Sequence, residues 1–530
     1  MVVLILAYSF LSFFNLGDDV APQSFYKLTS YKRVAIILPE ETEVSKIVYY
    51  VGQSRNDFNM VYQTTVDSSG VELSKEHEFA VDGPFRWRKT EIKRKIRMII
   101  LRTKDRDVDF GEISVFSGEK RIENIELKDF LPSEGAFNEN ELLANLTDEQ
   151  DLIPEQFNYH NSSYFDELYF AQTAYQYATN QEGYETVHPP LGKILQSIPI
   201  KVFGRMTPFT WRFAGNIAGI LIIIVVYFLA KELFGRASYG RLAAILTALS
   251  GLHFVQTRVG TIDSHLCLFT LLMFFFMLKF LKSSKFRYFL LSGIFFGCSI
   301  SIKWSGAFGG IGLAIMFFWW VYQKYFVGIN RKNWREKVFK LSLLKWFPLG
   351  VLCFIIIPAG IYFGSYLAFP ETTGANSVSD VISQGQYLFS YHSNERTPHP
   401  YSSPWFSWPL SLKPMLYEYA SGSERVICLY GNYAISFVSV IALLIALYFA
   451  VLKKSKTALF IIIAYLSLWL PYAFIQRPMF LYHYLPASGF AILAITEMFF
   501  ELPKIRKIIP FLLIIMVLVF IVSYPRFSGV

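Results

Sequence analysis

The stretch FAGNIAGILIIIVVYFLAKELFGR, residues 213–236, decides the class of fold. From Phe213 to Ala230 it carries no charge, and an apolar run of roughly 17 to 25 residues is what a helix needs to cross the hydrocarbon core of a bilayer. It then ends on Lys231 and Arg236, with Arg241 close behind, as spans do on the cytoplasmic side. Working outward, similar runs occur near 2–17, 241–257, 264–281, 287–302, 306–325, 345–367, 432–452, 457–474, 482–500 and 508–524. The chain therefore reads as a polytopic α-helical membrane protein with about 11 transmembrane helices. Its composition agrees: 53% of the 530 residues are hydrophobic and the mean hydropathy is +0.34, too apolar for a soluble chain of this length. The first run has neither a basic leader nor a small-residue cleavage site, so residues 1–17 are read as a retained first span.

The net charge of +9 would suggest nucleic acid in a soluble domain. Here the Lys and Arg residues gather in alternate loops, near 231–241, 282–287, 324–340, 453–456 and 504–507. The positive-inside rule makes those loops cytoplasmic and leaves no case for a nucleic-acid partner. The remaining loops, among them 18–212 and 368–431, then share the outer face. Cys267, Cys298 and Cys353 lie in apolar runs and Cys428 just before one, with no CxxC pair. Neither a disulfide framework nor a zinc site is expected.

The first outer loop begins with short β-branched or aromatic segments at 33–39, 46–52, 60–66 and 96–103, broken by Gly, Pro, Asn and Asp. These predict successive strands and a β-sandwich-like extracytoplasmic domain within 18–130. The run FRWRKTEIKRKIRMIILR followed by FGEISVFSG resembles the later strands of discoidin-like domains, which implies carbohydrate or wall binding; a structural spacer is the plainer reading. Residues 131–530 form the membrane module, with candidate active-site loops at 160–212 and 368–431.

In those loops several ionisable residues stand at span ends. Asp166 and Glu167 precede a helical pattern, where an acidic pair ordinarily caps the helix. HPPLGK, 188–193, fixes His188 and Lys193 on either side of two prolines that cannot lie inside a helix. Arg212 enters the span at 213, Arg258 and Asp263 bracket the next outer turn, and Lys303-Trp304 closes the span at 287–302. A lone charge there is commonly a snorkelling anchor. These charges, with His392, His399 and Arg477, all map to one side, and ionisable groups near membrane depth have partners or a function. Acids and cations around one cavity suit an anionic lipid headgroup meeting a reacting hydroxyl.

YFDE (164–167), HPPLGK, the WR at 211–212, the turn ending in ID at 262–263, KWSG (303–306), HPYSSPWFSWPL (399–410) and RPMFLYHYLP (477–486) together resemble the protein O-mannosyltransferase family of membrane glycosyltransferases with the C-type fold. The resemblance implies a polyprenyl-phosphate-linked mannose as donor, Ser or Thr hydroxyls of exported proteins as acceptors, and transfer on the outer face of the cell membrane, with membrane lipid and a second copy of the chain as partners. It implies Asp166 as general base with Glu167 beside it, and Arg212 with His188, Lys193 or Arg258 at the donor phosphate. The wall of the site would hold Asp263, Lys303, Trp304, His392, His399, Tyr401, Trp405, Arg477 and His483. The loop at 368–431 is too short for the β-trefoil of eukaryotic members, which implies a prokaryotic type. Metal-ligand spacing is absent, so no cofactor or metal is expected. The rival readings are a sugar or lipid transporter or flippase, a wall-binding scaffold, and a same-fold transferase acting on another sugar or on a lipid or wall acceptor. Transporters place their charges near the midplane of repeated halves, and no internal repeat is evident.

The topology is open to a direct check. A Cys at Ser402 is expected to react with an impermeant maleimide in intact cells and a Cys at Asn333 is not; the reverse pattern would overturn the one-sided arrangement of charges.

Overall fold

The computed structural model describes all but residues 30–31, 55–59, 67–71, 81–82, 104–106, 132–135, 139–140, 326–344 and 420–424. Much of the expected cytoplasmic loop at 324–340 therefore lies outside the described residues. The chain divides into two compact units. One comprises Gly17–Tyr175 with Ile200–Trp211, and the other Met1–Leu16, Gln176–Pro199 and Arg212–Val530.

The first unit is built on one antiparallel sheet of nine strands: β1 (Tyr26–Leu28), β2 (Arg33–Ser54), β3 (Met60–Val66), β4 (Glu72–Ala80), β5 (Arg86–Thr103), β6 (Val108–Ser117), β7 (Lys120–Arg121), β8 (Glu126–Leu131) and β9 (Ala136–Asn138). The runs 33–39 and 46–52, expected as two strands, are one strand, β2. Its pairing with β5 shifts register between Ile37 and Thr42, where Pro39 has no N–H to give the ladder, so the interruption is a bulge and not a turn. Before the bend β2 lies between β5 and β8; beyond it, between β5 and β6. The alternating residues Val34, Ile36 and Leu38, then Ile47, Tyr49 and Val51, join Ile96, Ile99, Leu101, Phe110, Ile113 and Val115 in a single core. The period-2 pattern places these residues on one face, and along Ile47–Gly52 of β2 and Phe110–Val115 of β6 the other face is buried as well.

The second unit is helical. Among the described residues, seven helices are long and apolar enough to cross a membrane: Pro208–Phe234, Asp263–Ser283, Trp304–Tyr325, Trp346–Leu367, Tyr433–Val451, Lys456–Phe474 and Pro503–Ser528. Two apolar helices are shorter, Val2–Phe13 and Phe286–Ile302. The run 241–257, expected as one span, is two helices, Ala237–Ala248 and Gly251–Arg258. Ser250 interrupts it because its side chain accepts a hydrogen bond from His253 N and caps the second helix. The run 482–500 is helical only from Leu485 to Glu501, after a tight turn at Leu481–Tyr484.

Within Trp346–Leu367 a π turn at Leu352–Ile356 precedes Pro358. Pro358 cannot donate to the carbonyl four residues back, and a wider turn accommodates that missing bond. Helix Phe286–Ile302 approaches this site through Gly293 and Gly297, a GxxxG pair that lets two backbones meet closely. A Cβ on Gly293 would fall on the Cys353 carbonyl oxygen, and one on Gly297 would lie 2.8 Å from Pro358 Cα. Gly360, in contrast, has nothing within 4 Å of such a position. Gly293→Ala is therefore expected to cost about 1–3 kcal/mol through overpacking, seen as a lower melting temperature in detergent, while Gly360→Ala leaves the melt unchanged or slightly raised. Equal behaviour of the two variants would show that the GxxxG face is not a close contact.

Candidate active site

The HPP turn delivers a histidine into a cavity and a lysine beneath it. Pro189-Pro190 keep the chain extended, and helix Leu191–Phe203 starts directly after them, with Ile194 N donating to Pro190 O. Gly192 is required by the close approach here, since a Cβ would meet Ile262 Cγ2 at 2.8 Å and Ile302 Cγ2 at 3.1 Å. Lys193 and Glu185 are both buried, their side chains only 2% and 5% exposed. Lys193 Nζ donates to Glu185 Oε2 at 2.7 Å, Glu185 O at 2.6 Å and His188 O at 2.8 Å, which occupies all three of its protons. Glu185 Oε1 lies 2.8 Å from His188 Nδ1. An ionised carboxylate only accepts, so Nδ1 carries the proton. Burial opposes charge on Glu185, yet Lys193 and His188 hold its carboxyl down to about 2. Burial likewise lowers His188, against the pull of Glu185, which favours the neutral ring.

The cavity, of about 530 Å³, is bordered by His188, Lys303, Trp304, His392, Arg477 and His483 among others. Each of these six was singled out in the sequence. Lys303 Nζ donates to Asp263 Oδ1 at 3.0 Å and stands 5.2 Å from the Tyr482 ring centroid. Trp304 Nε1 donates to Tyr362 Oη. His392 is carried by the last turn of helix Val378–Asn394, whose start is fixed by a capping box between Ser377 and Asp380. His392 Nε2 lies 2.8 Å from Val187 O and therefore donates to it, so Nδ1 is the acceptor that Arg477 Nη1 meets at 2.8 Å. Burial, then Arg477 and His188, push His392 down to about 4. The His188 and His392 rings lie edge-on at 5.5 Å. His483 Nδ1 lies 3.0 Å from Phe480 O. Between these groups the wall is apolar, with Ile300, Phe308, Leu388 and Ile475.

His399, Tyr401 and Trp405 do not border this cavity. His399 is exposed and packs edge-on against Phe480, and its Nδ1 accepts from Tyr401 N. Trp405 packs against Trp469 and accepts that indole's N–H at its own carbonyl. Ser403 N donates to Met479 O, tying the SSPW segment to RPMF. Arg212 Nη1 donates to Leu16 O, and Arg258 Nη2 donates to Phe14 O and Asn15 O. Both guanidinium groups thus hold carbonyls at the end of helix Val2–Phe13, where orphan acceptors favour cations. In the first unit, Asp166 stands just before helix Glu167–Ala178, and its carbonyl accepts from Tyr169 N and Phe170 N. Buried Glu167 reaches back to accept from Tyr164 N at 3.2 Å, a capping contact. Phe165 between them has φ +50°, unusual for an aromatic residue and typical of constrained functional turns.

Sequence reasoning passed over Glu185. The available signal was Lys193 itself: placed on an apolar helix, an ammonium calls for a nearby acid, and Glu185 is close on the N-terminal side.

Two family models match the chain. One, dolichyl-phosphate-mannose-protein mannosyltransferase, covers residues 187–371 and so begins at the HPP turn. The other, the C-terminal four-transmembrane region of protein O-mannosyltransferase, covers 378–530. The chain belongs to the protein O-mannosyltransferase family. Among curated relatives of this family, polyprenol-phosphate-mannose–protein mannosyltransferase of Mycolicibacterium smegmatis is 26% identical over 396 residues, 63% of this chain and 75% of its own length. Its namesake from Corynebacterium glutamicum is 25% identical over 372 residues, 58% of this chain and 69% of its own. Among solved structures, the S. cerevisiae protein O-mannosyltransferase Pmt1-Pmt2 complex bound to the sugar donor superposes with a TM-score of 0.60 at 14% identity, over 69% of this chain and 87% of that one. That likeness supports the C-type fold. The matches to bacterial relatives agree with the prokaryotic type read from the short loop at 368–431.

Removing one partner of a buried ion pair typically costs about 3–5 kcal/mol. Glu185→Gln is therefore expected to lower the melting temperature sharply, and adding Lys193→Met to that variant is expected to recover most of the loss. Because the Glu185 carboxyl sits below its ordinary 4.5, its contribution is present at neutral pH and fades as pH falls from 4.5 toward 2. A single variant that melts like the native protein would remove Glu185 as the organiser of the turn.

Proposed function

We propose that this multi-pass membrane protein transfers mannose from a polyprenyl-phosphate carrier to Ser or Thr hydroxyls of exported proteins, with inversion, on the outer face of the cell membrane. Membership of the family and the names of its bacterial relatives support mannose, the polyprenyl carrier and a protein acceptor. The observation that carries the reading is the cavity at the HPP turn: a mostly apolar wall interrupted by Lys303, Arg477, His188 and His392. Such a surface suits a phosphate that is attached to an isoprenoid chain. In this proposal about eleven spans carry the transferase module, and the sheet-bearing unit belongs to the first outer loop.

The chemistry needs little more. A polyprenyl phosphate leaves as a stable anion, so no acid is required at the leaving oxygen and no metal enters the proposed step. The acceptor oxygen attacks the anomeric carbon, the bond from that carbon to the phosphate oxygen breaks, and the hydroxyl proton passes to a base. The family resemblance gives that role to Asp166, with Glu167 shaping its turn. Lys303 and Arg477 would meet the phosphate charge as it grows, with His188 and His392 as adjustable partners. Lys193 acts through His188, and the family resemblance keeps Arg212 and Arg258 at the donor phosphate as well.

The test is transfer by purified protein from labelled polyprenyl-phosphate mannose to a Ser/Thr-rich peptide, with the product identified by mass spectrometry. Asp166→Asn is expected to reduce turnover by about 10²- to 10⁴-fold with donor affinity and melting temperature little changed, and Glu167→Gln to affect stability more. Near-normal turnover in Asp166→Asn with a lowered melt would make the acid a helix cap and sink its role as base. Donor-dependent lipid movement without a glycopeptide would favour the transporter reading.

A further inference from the structure

We propose that the sheet-bearing unit binds a hard divalent cation of the calcium class between Glu112, Asp148 and Glu149. The three residues come from separate places in the chain: Glu112 from β6, the other two from the link between the turns Glu141–Leu146 and Gln150–Leu152. One carboxylate oxygen from each lies within 4.8 Å of the others. Carboxylates gather at many protein surfaces without a ligand, so the decisive feature is Glu112. Its residue is fully buried. Oε1 accepts from Glu149 N at 2.5 Å, while Oε2 is buried, meets no donor group among the described residues and faces the Asp148 carboxylate; burial and the acids Asp148 and Glu149 push the Glu112 carboxyl up to about 8. A buried carboxylate beside two more is costly unless a proton or a cation stands among them, and a cation that displaced the proton would satisfy all three acids at once.

The surrounding groups offer few protons. Ser24 Oγ is 2.9 Å from both Asp148 oxygens and 3.1 Å from Glu149 Oε2, yet a hydroxyl has one proton to donate. Gln23 N and Ser24 N donate to Glu149 Oε2, which orients that carboxylate without neutralising it. Among the described residues no Lys, Arg or His forms an ion pair with any of the three acids. The donor set is entirely oxygen, which selects hard cations over zinc or copper. Three carboxylates able to bind through one or two oxygens, with a hydroxyl beside them and Asp148 open to water, suit the six to eight ligands of calcium better than the strict octahedron of magnesium. A cation here would tie the chain just before β1 and the chain just after the sheet to β6, which lies between β1 and β2. The inference concerns a unit outside the matched family regions and does not depend on the transfer reaction.

Equilibrium dialysis of the full-length protein in detergent with ⁴⁵Ca²⁺, after treatment with EDTA, tests it. One calcium per chain is expected with a dissociation constant of roughly 10⁻⁴ to 10⁻³ M, the range of extracellular modules. Calcium, and not magnesium at the same concentration, should raise the melting temperature. Glu112→Gln and Asp148→Asn should each weaken binding at least tenfold, on the order of the loss of one charged ligand, and abolish the calcium-dependent part of the melt. Asp148 is exposed, so its variant keeps the fold and keeps the test meaningful if Glu112→Gln does not express. Calcium binding that is unchanged in Asp148→Asn, or no binding at millimolar calcium, would overturn the site. Equal protection by magnesium would overturn the calcium-class assignment.

Discussion

An ammonium group carried into the interior of a membrane protein must bring its counter-ion with it, and the ion pair between Lys193 and Glu185 is where this molecule meets that requirement. The pair is more than a local closure. Glu185 uses one oxygen for Lys193 and the other for His188, while Lys193 returns two bonds to the backbone of the same turn. The ring of His188 is thus fixed in place and in tautomer by a group that never reaches the cavity. Removing the acid would leave a buried charge, a free ring and an untethered turn together. The two prolines would still keep the backbone extended, but nothing would decide where it points.

The opposite wall of the cavity is organised by the same logic with different chemistry. His392 donates to Val187 O and accepts from Arg477, so a neutral imidazole links the HPP segment to the RPMF segment across more than two hundred residues of sequence. Protonating it would set two cations against each other and forfeit the bond to Arg477. Lys303 is steadied by Asp263 and by the face of Tyr482. The cavity therefore holds its two permanent cations on separate partners, Lys303 on Asp263 and Arg477 on His392.

Much of this could be read in the sequence because membranes punish charge. Once the spans and basic loops were placed, His188, Asp263, Lys303, His392 and Arg477 had to share a side, and the structure groups them at or next to one cavity. The same reasoning could not see that Arg212 and Arg258 would also hold the carbonyls at 14–16. Glu185 was missed because it lies in a polar loop, where an acid needs no explanation until its burial is known. Hydropathy also could not see that Ser250 would cap a new helix inside 241–257. In the sheet, Pro39 marked a real interruption, but a proline can produce either a turn or a bulge, and only the pairing of β2 with β5 decides between them.

Helix Val378–Asn394 carries a further implication. It ends at His392 on the cavity wall, while Val378, Ile382, Tyr387, Phe389 and Tyr391 along it are largely exposed. Large apolar side chains on a helix that also has a polar side belong at a lipid–water boundary. One end of this rod is pinned by its capping box and the other by the bonds of His392, so a change in the thickness or lateral pressure of the bilayer would act on the rod as a torque and be felt at an imidazole in the cavity. The lipid would then be a mechanical component of the site as well as its solvent.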